Sequence, residues 1–437
     1  MLSTTSRWVI ADETPITMFP DGVHVRHMII SPDLRHVAYI VDTGDCHRVV
    51  VDDRVDPPCV SVDTLRFSNV GNHVSYIAKL PDATYCMVKD GVFGKAYEDI
   101  TSYGFSPDGV YLVYEAISHE DIYLVLDSQE HGPYDMVVPW SPAWSADSRH
   151  FAYEMQDAEG IHVILDGQVS KAWEIVEGTQ FHPANGQLIY LATSKDLHYV
   201  VFGDQVITIP EDFLSDLVCH PTATQFAFQS LTDDGVCICV PHANPAPCCT
   251  FIDSFLYSAH GEHFAYIAGI AGKEYVLLDH IPGMAFDDIR LRSLIFSPNG
   301  ERLAYVAIRD NQQVLVEHQT SVETAYDAIS QDTLRFSGDN AHLAYIVQDN
   351  GRWRLIVNGE RGELYDDVGT PVFSPDSEHL AYRLRDGEKW RIMIDGRPAS
   401  RPLDCVGDPQ FTKGSSEVGY LAREGNRLRY VEVGRYR

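Results

Sequence analysis

Lysine is scarce in this sequence, standing at only eight of 437 positions (79, 89, 95, 171, 195, 273, 389 and 413), and acidic residues outnumber basic ones 63 to 33. The formal charge of −30 repels phosphate backbones and anionic lipid heads, so neither nucleic acid nor a membrane surface is expected as a partner. Few lysines with many acids also occur in salt-adapted proteins, but an ordinary acidic cytoplasmic surface is the simpler reading.

Long apolar runs are missing as well. No stretch reaches the roughly 18 apolar residues that span a bilayer. The N-terminal MLSTTSRWVIADETP has no basic segment leading into an apolar one, so neither export nor membrane insertion is expected. The nine cysteines are odd in number and irregular in spacing, which argues against a disulfide framework and fits a reducing cytoplasm. Catalytic signatures are absent too: there is no Gly-x-Ser-x-Gly elbow, His-Glu-x-x-His, P-loop or Rossmann glycine pattern. No catalytic, cofactor-binding or metal-ligating residue is therefore expected.

What the sequence does have is repetition. An apolar or aromatic marker before a Ser-Pro-Asp-like turn recurs as Ile30, Phe67, Phe105, Trp144, Phe181, Cys219, Tyr257, Phe296, Phe336, Phe373 and Phe411, eleven times at about 38-residue spacing. Nine residues after each marker stands an aromatic: Tyr39, Tyr76, Tyr114, Tyr153, Tyr190, Phe228, Tyr266, Tyr305, Tyr345, Tyr382 and Tyr420. Between them lie turns such as Ser106-Pro107-Asp108-Gly109, in which Pro presets φ, Asp bonds back to the backbone and Gly accepts positive φ. The turn joins two short strands, A and B. A third strand, C, is clearest at Trp353–Val357 and Trp390–Ile394 and ends in Asn358-Gly359 or Asp395-Gly396, both strong hairpin signals. A fourth, D, follows around Ala96–Glu98, Pro133–Asp135, Ala325–Asp327 and Leu364–Asp366. Each unit is thus a four-stranded antiparallel meander.

A small sheet repeated many times buries its faces by stacking as propeller blades, so the expected fold is an all-β propeller of about eleven blades. Phrases such as FSPNGERLAY (Phe296–Tyr305) and FSPDSEHLAY (Phe373–Tyr382) resemble the TolB-type, WD-like β-propeller repeat, which also occurs in propellers attached to prolyl-oligopeptidase-like enzymes. The resemblance runs over nearly the whole chain and bears on fold more than on activity. It implies a rigid scaffold that docks a protein or peptide through its loop face or channel. TolB itself is periplasmic and has a further N-terminal domain, and the sequence shows neither an export signal nor that domain.

The last repeat stops after strands B and C, around Glu417–Leu421 and Leu428–Val431, whereas Pro15–Phe19 precedes the first A strand like an orphan D. The N-terminal strand is expected to complete an open blade and so remove exposed edges. Eleven blades exceed the usual four to eight, which slightly favours two rings. The expected division is 1–240 (repeats one to six) and 248–437 (repeats seven to eleven), joined at the proline-rich Pro241–Pro247, with one continuous ring over 1–437 as the alternative.

The candidate sites each have a plainer explanation. Cys219, His220, Cys237, Cys239, His242, Cys248 and Cys249 crowd the sixth repeat and could supply zinc ligands, but their strand-like alternation reads better as free buried thiols. The recurrent aromatic reads as core, because a site needs making only once. If strand A lines an axial channel, the residues before the markers face it, among them Arg66 and Arg335, which could hold an acidic peptide or carboxylate. The expected function is a non-enzymatic scaffold for a protein or peptide partner. The alternatives are a hydrolase or lyase acting on a small molecule or glycan at an axial pocket, with carboxylates from several blades, and a purely structural module.

Overall fold

The computed structural model describes residues 7–18, 24–138, 142–209, 212–240, 248–318, 324–412, 414–425 and 427–436. They form eleven antiparallel sheets: nine run A-B-C-D along the chain, the sixth shows A-B-C among the described residues, and the eleventh takes its fourth strand from the N-terminal segment. The third is representative: Asp99–Phe105, Leu112–Ser118, Asp121–Leu126 and Gln129–Tyr134. In several copies strand A is interrupted, as in the fourth sheet, where Met136–Val137 and Ala143–Trp144 both pair with Phe151–Asp157.

The turns follow from their residues. In the ninth repeat Ser337 donates to Asp339 (2.5 Å) and accepts from the His342 backbone N–H (2.9 Å), with Asn340 at positive φ. The two-residue turns Asn350-Gly351 and Asn358-Gly359 place both residues at positive φ, the geometry that matches strand twist.

Packing repeats as regularly as the turns. The marker-plus-nine aromatics are all buried, from Tyr266 at 0% to Tyr382 at 7% exposure, and those of repeats two to five and eight to eleven face the preceding sheet. Tyr76 packs with Ala38 and Ile40 of the first sheet, and Tyr345 with Ala304 and Val306 of the eighth. The flanking residues, eight and ten after the marker, face the following sheet, as Ala344 and Ile346 do toward Tyr382 and Leu384. Burying an aliphatic or aromatic side chain contributes about 1.5–3 kcal/mol, and each interface collects several. Such sheets, packed face to face through one apolar layer, are the blades of a β-propeller.

The chain divides into two compact units. One holds the described residues of Met1–Met18, His220–Ala223 and Thr232–Arg437, and the other those of Phe19–Cys219 and Thr224–Leu231. The orphan N-terminal strand is longer than expected, Arg7–Met18, and it pairs with Arg427–Tyr436 as the D strand of the eleventh sheet. Phe19 lies outside the described residues, as does Pro241–Pro247. The preference for two rings is not supported. Separate closure of two halves needs a join for each, and the N-terminal strand is committed to the last sheet instead of the sixth.

Candidate functional site

Serine, histidine and aspartate, the residue types of acyl-transfer chemistry, do meet in these blades, but they meet repeatedly. His36–Asp52, His73–Asp90, His150–Asp166, His263–Asp279 and His379–Asp395 pair through Nδ1 at 2.7–2.8 Å. The second carboxylate oxygen accepts the backbone N–H that follows the histidine, as at Leu380 (3.0 Å). The serine hydroxyl accepts from the backbone N–H of the histidine, 2.9 Å for Ser374 and His379, and not from its ring. These groups tie strand B to the A–B and C–D turns, and their chemistry is spent on backbone.

The sixth repeat does not gather its sulfur and imidazole into a ligand set. Cys237 and Cys248 are joined in a disulfide, which corrects the expectation of free thiols there. Cys219 is a free thiol whose ionisation burial pushes up to about 12. His220 Nε2 bonds to the Gly261 carbonyl oxygen at 3.0 Å, while its Nδ1 accepts from the Ala223 N–H at 2.9 Å. Cys239 is half-buried and Cys249 buried, and His242 lies outside the described residues. Among the described residues no three or more His, Cys, Asp or Glu groups are arranged to hold a metal ion.

Strand A also departs from expectation. Residues before the markers, such as Ile29, Leu256 and Ile295, pack into the layer between their own sheet and the next, because alternation along strand A turns them to the same face as the marker-plus-ten residue. Arg66 accordingly lies with its guanidinium 3.9 Å from the Tyr103 ring centroid and donates to the Tyr103 carbonyl oxygen at 3.1 Å. Arg335 is exposed and donates to the Leu334 carbonyl oxygen at 2.7 Å. The structure does not bring these two arginines together as one site.

The residue before the marker thus joins those eight and ten after it in filling the layer from the same side, and where copies differ at these positions the layer changes character. The residue ten after the marker is aliphatic in seven repeats (Ile40, Ile77, Leu191, Ile267, Val306, Ile346 and Leu421) but Glu115, Glu154, Gln229 and Arg383 in the third, fourth, sixth and tenth. In the third repeat the residue before the marker is also Gly104, and a side chain built there would meet nothing within 4 Å. The missing side chain leaves a cavity of about 170 Å³ between the third and fourth sheets, with Val113, Leu124 and Glu115 on one side and Pro142 and Trp144 on the other, whereas the Tyr103, Phe105 and Tyr114 rings pack on the opposite face of the third sheet, against the second. An apolar cavity of ~150 Å³ accommodates a benzene-sized group, so this one has room for a single side-chain terminus.

Its walls are firmly held. Trp144 stacks on Tyr111 (5.8 Å, 17°) and leans on Phe151 (4.6 Å, 40°). Thr101 donates to Glu115 at 2.9 Å, and among the described residues no basic side chain pairs with that carboxylate. Trp144 and Glu115 are both half-buried.

Glu154 occupies the equivalent place in the next layer, almost fully buried at 5% exposure. Burial raises its pKa above the usual glutamate range, Thr179 opposes the shift, and the neighbouring Glu177 adds to it. A second, smaller cavity of about 110 Å³ lies between the seventh and eighth sheets beside His263, Arg302, Glu317 and His318. Its arginine is already paired with Glu317 at 2.7 Å.

No family model matches the sequence, and neither does any curated protein. Among solved structures the chain is similar to a eukaryotic initiation factor, at 12% identity and TM-score 0.45, over 76% of this chain and 96% of that one. It is similar to the β-propeller domain of the trilobed protease from Pyrococcus furiosus at 11% identity and TM-score 0.28, over 59% and 94%. It is also similar to TolB from Acinetobacter baumannii at 12% and 0.26, over 79% and 80%. At these values the likenesses carry no functional argument.

Proposed function

We propose that this chain is a non-enzymatic β-propeller scaffold that binds a protein or peptide partner through a basic segment of that partner. One observation carries the reading. The hydroxyls, imidazoles and carboxylates that could do chemistry are held in recurrent turn bonds, while the cavity between the third and fourth sheets offers the Trp144 ring and the Glu115 carboxylate, with no basic partner for that carboxylate among the described residues. That arrangement suits recognition of a cation, and a formal charge of −30 draws a basic partner by long-range attraction. The TolB-like repeat phrases point the same way.

The test is a calorimetric titration of the whole chain with lysine-rich and glutamate-rich peptides of equal length at low and high salt. Binding of the lysine-rich peptide that weakens with salt is the expected result. Equal binding of both peptides, or of neither, overturns the reading.

A second reading rests on Glu154. A buried carboxyl with a raised pKa next to Glu177 is the environment of a general acid, which would make the chain a hydrolase or lyase acting on a small molecule or glycan. It ranks second because Glu154 is buried and does not line either cavity. Turnover in a glycan panel that disappears in Glu154→Gln would reverse the order.

A further inference from the structure

Each blade ends in an outer edge strand, and that of the fifth sheet is unlike the others. We infer that this strand, Gln205–Ile209, is a docking edge at which an extended basic segment of a partner protein adds as a further strand. This rests on the reading of the chain as a binder of basic segments and names the strand that receives one.

The first observation is what guards the other edges. An edge strand presents unpaired N–H and C=O groups, and proteins blunt it by making it short, bulged, charged or proline-bearing. The D strands Arg54–Val55, Gln168–Val169, Glu360–Arg361 and Arg397–Pro398 have two residues each, and Thr324–Tyr326 has three. Val92–Tyr97, Gln129–Tyr134 and Ile281–Phe286 are longer, but each slips register against its strand C. The N-terminal strand of the eleventh sheet slips twice and contains Pro15.

Gln205–Ile209 has none of these devices. It reads QVITI, without charge, proline or glycine, and its five residues pair with His198–Phe202 without a break. Valine, isoleucine and threonine favour the extended strand. Among the described residues no strand lies on its outer side.

The second observation is which backbone groups are left over. The two-residue turn Gly203-Asp204 joins Phe202 to Gln205, so the bonds to strand C fall on Gln205, Ile207 and Ile209. The first sheet shows the same spacing: the N–H of Asp56, two residues beyond Arg54, donates to the Val49 carbonyl oxygen at 2.9 Å. Val206 and Thr208 therefore turn their N–H and C=O groups outward. Both residues are exposed, Val206 at 50%. An added strand bonds to these two and sets a side chain beside Val206.

The third observation, charge, selects the occupant. No lysine or arginine stands between Lys195 and Lys273, whereas nine acidic residues do. Lys171 of the preceding repeat lies over the Trp173 and Tyr199 rings (3.9 and 5.3 Å), on the face of the sheet. A second copy of this chain would bring the same acidic stretch to the edge and be repelled. A basic segment is drawn to it.

The probes are an acetylated peptide of alternating lysine and valine, an alternating glutamate-valine peptide, and the lysine-valine peptide N-methylated at consecutive central residues. N-methylation keeps the charge but removes donors from both edges of the peptide. Each probe is titrated calorimetrically into the whole chain, and hydrogen exchange of the segment containing Gln205–Ile209 is followed by mass spectrometry. The titrations are repeated on Thr208→Pro, which removes an outward N–H and leaves the ladder to strand C intact. Thr208→Lys, which adds the kind of charge that guards natural edges, serves if the proline variant does not fold. Thermal midpoints and light-scattering masses are measured alongside.

The lysine-valine peptide should bind and slow exchange in that segment, and the N-methylated peptide should not bind. Each variant should weaken binding roughly tenfold or more. Binding that N-methylation and both variants leave unchanged, or that slows exchange only elsewhere, overturns the docking edge and leaves the broader function standing. Failure of every basic peptide to bind, the lysine-rich one included, removes that function and the edge with it. Equal binding of the glutamate-valine peptide overturns the basic occupant. A dimer that Thr208→Pro dissociates gives the edge to a second copy and overturns the proposal as well.

Discussion

The layer between the third and fourth sheets and the layer between the tenth and eleventh are built on the same plan and differ in what stands ten residues after the marker. In the later layer Arg383 reaches across to Asp408 and the Val406 carbonyl oxygen and lies 4.9 Å from the Trp390 ring centroid, so the departure from an aliphatic residue is answered by its neighbours. In the earlier layer Glu115 is answered by one hydroxyl, and Gly104 withdraws the side chain that would have closed the space. A repeat can carry a polar substitution either as a strut or as a site. The difference lies in whether the facing sheet supplies the partner.

That contrast can be broken experimentally, beginning with the largest effect. Tyr420 of the later layer is 1% exposed and packs against the tenth sheet, so Tyr420→Ala should cost about 3–5 kcal/mol in urea unfolding. The matching Tyr153→Ala borders a layer that already contains a cavity and should cost less. Equal losses would show the two layers to be equally well packed.

The same substitution should then have opposite signs at the two equivalent positions. Glu115→Leu restores the aliphatic residue of seven other copies and should raise stability by about 1 kcal/mol. Arg383→Leu strands the Val406 carbonyl and should lower it by about 1 kcal/mol, since exposure discounts its ion pair with Asp408. Thermal midpoints of the two variants moving in the same direction would remove the distinction between strut and site.

Glu154 sharpens the comparison through pH. Its folded-state pKa is raised by burial, so the folded protein holds this proton more tightly than the unfolded chain does. Ionisation therefore destabilises the fold as pH rises from the usual glutamate range through the raised value. Glu154→Gln should melt at a higher temperature than the parent at pH 8, with the gap narrowing toward pH 4. A gap independent of pH would mean that the carboxyl stays in one state. Smallest of all, Gly104→Val should add about 0.5–1 kcal/mol by removing glycine from a strand, and a loss instead would mean that the cavity is not open as described.

The blades were legible in the sequence because their information is local and repeated. The turn at Ser337–Asn340 and the aromatic Tyr345 can be read from a dozen residues, and the Asn-Gly pairs fix the hairpins without reference to anything distant. Closure was legible from the missing D strand, although the Arg7–Ile10 part of that strand lacked any turn signal to reveal it. The cavity was not legible. Gly104 and Glu115 are ordinary residues individually, and only the knowledge that both turn toward the same neighbouring sheet makes them partners. The assumption that strand A faces a channel sent attention to Arg66 and Arg335, when alternation placed their copies in the packing layer. The Cys237–Cys248 bond was hidden for a related reason, because irregular cysteine spacing says nothing about two strand segments brought side by side.

The eleventh sheet carries a consequence for the order of events in folding. Glu13 and Arg429 are ion-paired 416 residues apart in sequence, within a ladder that runs from Arg7 against Tyr436 to Met18 against Arg427. Every other blade can form from a contiguous stretch as soon as that stretch is available. This one waits, and because bringing distant segments together costs loop entropy before any contact rewards it, its ladder should be the last to acquire protection from hydrogen exchange during refolding.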